Sequence, residues 1–146
     1  MDSGFLPFFH SLLRYAVLLT VLYAFLVNLR GVLQQRPILT GERAVTILAM
    51  VLCHVQLVIG GILYAMDYQM IDKMADPYRR FWKFEHISMM VLAILLITVG
   101  RMLSKRATNE RTKQMRIVVF YGIGLLLILV AIPWPFRDEF RSLGWL

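Results

Sequence analysis

Sulfur and carboxylate chemistry have little to work with in this chain. Cys53 is its one cysteine, so there is no disulfide framework and no thiolate set for zinc. No C-x-x-C-H run occurs, which excludes covalent c-type haem attachment. The acidic residues fall almost entirely outside the apolar stretches. Paired carboxylates, a Ser/His/Asp set and a Gly-rich phosphate loop are all missing, so hydrolytic chemistry has no visible machinery. There is no internal repeat and no low-complexity segment.

What the chain has in abundance is apolar residues, 59% of 146. Four stretches, about residues 5–27, 44–66, 81–102 and 117–134, are long enough to cross a hydrocarbon core, which takes ~20 residues in a helix. Lipid offers backbone groups no partners, so the spans must be helical. Short connections make successive spans antiparallel. The expected fold is all-α, an integral membrane up-down four-helix bundle forming a single membrane domain over residues 1–146. The first stretch has neither a basic leader nor an A-x-A-like cleavage site and is expected to be a retained helix.

A formal charge of +7 would suggest nucleic acid in a soluble protein. Here the cations cluster by side, with no basic face outside the lipid-facing geometry, and no nucleic acid partner is expected. Arg30, Arg36, Arg43, Arg101, Lys105, Arg106, Arg111, Lys113 and Arg116 crowd one side against Glu42 and Glu110. On the other side Lys73, Arg79, Arg80, Lys83, Arg137 and Arg141 are offset by Asp2, Asp67, Asp72, Asp76, Glu85, Asp138 and Glu139. The positive-inside rule then places both termini on the non-cytoplasmic side.

Local signals mark some boundaries. Asp76 is expected to N-cap the third helix, with Pro77 at its first position. Pro133 and Pro135 stop the fourth. Trp82 and Trp134 fall at the same interface, where amphipathic rings are favoured. For residues 67–73 two readings stay open, a short interfacial helix or an irregular loop.

All three histidines, His10, His54 and His86, lie inside spans. An intramembrane ionisable side chain is costly and marks a functional site by default. At ~1.5 Å per residue, His10 and His86 both lie ~7–8 Å below the outer boundary, whereas His54 lies ~18 Å down. Helices one and three are diagonal in an up-down bundle. Matched depth on diagonal helices is what a bis-histidine haem needs. Hydrogen-bonded packing is the competing reading of each histidine. His54 has a further one, proton handling. A zinc or copper site is disfavoured because the three depths do not converge. Arg14 sits one turn below His10 on the same face and needs a partner, for which Glu85 and a haem propionate both serve, or it snorkels to the outer surface. Arg137 stands at the same interface.

Small residues follow the histidines at a spacing of seven, a drift of only ~20° on an ideal helix. The stripes are His10–Val17–Ala24, His54–Gly61, His86–Ala93–Gly100 and Gly124–Ala131. They suit close helix packing and equally a flat macrocycle. Gln56 points away from His54, toward another helix. Met89 and Met90 lie one turn below His86 and suit packing or iron ligation. Tyr64, Tyr68 and Trp82 suit an interfacial aromatic belt or the flanks of a quinone ring.

Five runs carry a resemblance: residues 10–15 (HSLLRY), 54–64 (HVQLVIGGILY), 81–90 (FWKFEHISMM), 98–101 (TVGR) and 132–137 (IPWPFR). Together they resemble a family of small bacterial four-span proteins commonly labelled cytochrome b, over nearly the whole chain. Tyr15 departs from the expected Trp. The resemblance implies an inner-membrane protein holding haem b, with His10, His54 and His86 as the matching ligand candidates. One-electron transfer with a quinone or a larger respiratory complex is the expectation that follows. Two alternatives stand beside it: a non-enzymatic accessory subunit of a membrane complex, and an enzyme like the membrane-embedded protoporphyrinogen oxidases. The lysine such oxidases pair with histidine is not evident inside a span.

Overall fold

A computed structural model describes residues 4–137 and Phe140. Helix α1 runs Phe5–Leu33, α2 runs Thr40–Asp72, and α3 is the short Asp76–Arg80. A π-helical turn, Phe81–Glu85, leads directly into α4, His86–Arg106. Helix α5 is Glu110–Ala131. The stretch Asp76–Arg106 is one continuous rod, so four long apolar helices of 29, 33, 31 and 22 residues make the fold. Even the shortest spans ~33 Å, enough for a bilayer core.

The helices form an up-down bundle. α1 packs on α2 and α5, and α4 packs on α5 and α2, so α1 and α4 stand diagonally across the core. The exterior is apolar: Leu19, Val58, Leu95, Leu126 and Val130 are all more than half exposed. In water such a surface would drive aggregation, whereas lipid solvates it. The fold is that of a membrane protein.

Small residues bring the helices together. An added Cβ on Gly124 would stand 2.8 Å from Ile97 Cγ1 and 3.3 Å from the Ala93 carbonyl, and one on Gly100 would collide with Phe120. The stripes on α4 and α5 therefore serve helix packing, and the room they make is filled by Phe120 and Ile97. The α1 stripe also faces inward, with Val17 and Ala24 buried. The α2 stripe does not. His54 and Gly61 are exposed, and α2 instead turns Thr46, Ala49 and Cys53 to the core.

Two boundaries differ from expectation and one agrees. Residues 67–72 continue α2 as regular helix, so they are neither a separate interfacial helix nor a loop. The N-cap of α3 is Ala75; Asp76 is already helical, and its carboxylate pairs with Arg79. The fourth helix stops at Ala131, one residue before Ile132-Pro133, because a residue preceding proline is pushed out of helical geometry.

At the end away from the N terminus, Gln35 takes a left-handed conformation, φ 52°. Its N–H bonds to Val32 O at 3.3 Å and that of Arg36 to Gly31 O at 3.1 Å, a Schellman closure of α1. Arg36 then forks onto Glu42 at 2.9 and 2.5 Å, while the Leu39 N–H donates to the same carboxylate at 3.1 Å. Gln114 of α5 donates to Arg36 O at 3.0 Å, which ties this connection to the fourth helix.

Candidate functional site

The site candidates gather near the other end of the bundle. His86 follows the π turn directly, and its N–H bonds to Phe81 O, five residues back. The extra residue in that turn lets Phe81 swing inward, where it is 3% exposed. π turns of this kind concentrate at functional sites. The Phe81 and Trp82 rings flank the imidazole at centroid distances of 5.9 and 5.3 Å. Arg137 lies over Phe81, 5.9 Å from its centroid, and so joins the aromatic group beside His86.

The His86 Nδ1 lies 2.9 Å from the carbonyl oxygen of Ala131 on α5. A carbonyl only accepts, so Nδ1 carries the proton and Nε2 keeps the lone pair. Histidines that ligate metals are oriented by the same kind of bond, with the remote N–H donated to a carbonyl. Ala131 O is open to it because α5 ends there.

Across the core, His10 rests against α2. Gly60 leaves the space: a Cβ there would stand 3.0 Å from His10 Cε1. Gln56 donates its amide to the His10 carbonyl at 2.9 Å and stands 3.3 Å from His10 Nε2. Nε2 then accepts and Nδ1 bears the proton, yet Nδ1 is buried with no hydrogen-bond partner among the described residues. Ligation through Nε2 would require the Gln56 amide to swing away.

His10 and Arg14 are one turn apart on α1, and His86 stands on α4, diagonally across the core. Arg14 also donates to the Tyr15 hydroxyl at 3.3 Å and sits 4.9 Å from that ring's centroid. Glu85, one anion considered for it, pairs instead with Arg80 at 2.7 Å.

His54 is not part of this group. It is exposed on the outer side of α2, with Nδ1 donating to Met50 O at 2.7 Å and Nε2 3.3 Å from the Thr98 hydroxyl of α4. Tyr64 and Tyr68 pack edge-to-face on each other, and Lys83 lies over Tyr68.

The two imidazoles stand on helices diagonal to each other, each turned to a different neighbouring helix. A bare cation needs more donors, and no group of three His, Cys, Asp or Glu able to hold one gathers among the described residues. Reading residues singly missed Gln56 and Gly60 as the neighbours of His10. Their signal was periodic: Glu42, Thr46, Ala49, Cys53, Gln56 and Gly60 repeat every three or four residues as a small and polar stripe. Comparison with protein-family models, with curated proteins and with solved structures yields no match.

Proposed function

We propose that this membrane protein holds a b-type haem between α1 and α4 and serves as a one-electron carrier. His10 and His86 are the axial ligands in this reading, and Arg14 balances a propionate. The carrier works in a bacterial cytoplasmic membrane, termini on the non-cytoplasmic side, and exchanges electrons with a quinone or a larger respiratory complex. The observation that carries the reading is the His86 bond to Ala131 O, which presents Nε2 as a free lone pair on the helix diagonal to His10. Bound haem supplies reversible one-electron chemistry. The residues of the chain do the rest: α5 orients one ring, Gly60 makes room for the other, and Phe81 and Trp82 shield His86 from lipid and water.

The test is a reduced-minus-oxidised spectrum of protein purified from cells supplied with haem. The α and β bands of a six-coordinate bis-imidazole haem are expected, lost on His10→Ala or His86→Ala and kept on His54→Ala. A colourless wild-type protein under haem supply overturns the reading.

A second reading has its own observation. His10 and His86 each make a hydrogen bond to a neighbouring helix, to Gln56 and Ala131 respectively. An accessory subunit that uses histidine to specify packing needs nothing more. It predicts that the same substitutions change assembly with a partner complex while no form carries pigment.

A further inference from the structure

A cavity of about 180 Å³ opens at the end of the bundle far from His86, between α2, α4 and α5. Its lining is strongly basic: Arg43 from α2, Arg101 and Lys105 from α4, and Lys113 from α5. Hydroxyls of Thr46 and Ser104 and the side chains of Ile38 and Ile117 complete the wall.

The chain compensates this charge only in part. Among the described residues the carboxylates at this end are Glu42 and Glu110, and both are committed. Glu42 is forked by Arg36, while Glu110 pairs with Lys113 and accepts the Ile38 N–H. Arg43, Arg101 and Lys105 have no ion pair among the described residues, and the buried Arg101 Nε has no hydrogen-bond partner there. Arg43 and Lys113 stand in the first turns of α2 and α5, whose own N-termini are capped by Glu42 and Asn109. Arg43, Arg101 and Lys105 converge on one partly apolar cavity and repel one another unless an anion sits among them.

We propose that this cavity binds a phosphate group, with an acidic phospholipid as its source. Arginine and lysine donors around a volume of this size suit a single tetrahedral oxyanion. Basic pockets between membrane helices take phospholipid head groups on the same principle. Ile47, Met102 and Met115 are exposed apolar side chains on the same three helices and offer acyl chains a surface beside it.

Native mass spectrometry of the full chain in detergent tests the proposal, with phosphatidylglycerol, phosphatidylcholine and inorganic phosphate as separate probes. Phosphatidylglycerol is expected to stay bound under activation that strips phosphatidylcholine. Arg43→Gln with Lys105→Gln removes two exposed cavity cations at little risk to folding. It is expected to weaken retention about fivefold for each cation removed. Arg106→Gln with Arg111→Gln removes the same charge outside the cavity and is expected to behave as wild type. Inorganic phosphate that binds and displaces phosphatidylglycerol upholds the anion site but makes free phosphate its source. Equal retention of the two lipids with no phosphate binding overturns the proposal. So does an equal loss in both double variants.

Discussion

The amide of Gln56 on α2 donates to the carbonyl of His10 on α1 at 2.9 Å and stands 3.3 Å from the Nε2 of the same residue. One side chain thus holds both the backbone and the ring of a residue in the first turns of α1. The bond ties two helices at membrane depth, where measured interhelical hydrogen bonds are worth ~0.6 kcal/mol and at most ~2. It also occupies the nitrogen through which His10 would ligate.

Gln56→Leu separates these roles. If His10 is an axial ligand, removing the amide frees Nε2, and haem retention in the purified protein is expected to hold or rise. A fall in thermal stability of the haem-free form of about 1 kcal/mol is expected in the same variant. Loss of pigment in Gln56→Leu, with the fold intact by circular dichroism, would count against His10 as a ligand.

Adjacent glycines should respond oppositely. Gly60→Ala places a methyl 3.0 Å from the His10 ring and is expected to lower stability by about 1–3 kcal/mol and reduce haem content. Gly61→Ala meets nothing within 4 Å, so the helix gains roughly 0.5–1 kcal/mol from the better helix former. Unfolding in mixed micelles titrated with denaturing detergent measures both.

The contact between α4 and α5 is the tightest in the bundle. Gly124→Ala pushes into Ile97 Cγ1 at 2.8 Å, and the Ala93 carbonyl behind it cannot retreat without moving a helix. A loss of about 1–3 kcal/mol is expected. Gly122→Ala meets only the edge of the Phe25 ring, at 3.0 Å and with no backbone behind it, and should cost less in the same assay.

Cys53 is 1% exposed and faces the core. A membrane-permeant maleimide is expected to leave it unlabelled in the folded protein and to label it fully after denaturation, because only an accessible thiolate reacts. Rapid labelling of the native protein would mean that α2 presents its other face inward.

Which parts were legible before folding follows from the chemistry of the solvent. Four apolar runs of bilayer length admit one kind of answer, since only a helix satisfies its backbone in lipid. Short connections then make the helices alternate, which sets α1 and α4, the helices that carry His10 and His86, diagonal to each other. The proline stop after α5 was equally readable. His54 was not, because hydropathy looks alike on every side of a membrane helix and depth says nothing about direction. The small and polar stripe from Glu42 to Gly60 carried the missing information, and the more conspicuous His54–Gly61 spacing obscured it.

The sequence alone determined the number of spans and their helical character. Those depend on length, composition and the absence of water as a backbone partner. Packing decided which face of α2 looks inward, where the His86 proton resides and which cations at the far end lack a counter-charge. Each of those depends on what a neighbouring helix brings within reach: a carbonyl left open by the end of α5, a glycine gap beside a ring, a carboxylate already taken by another arginine.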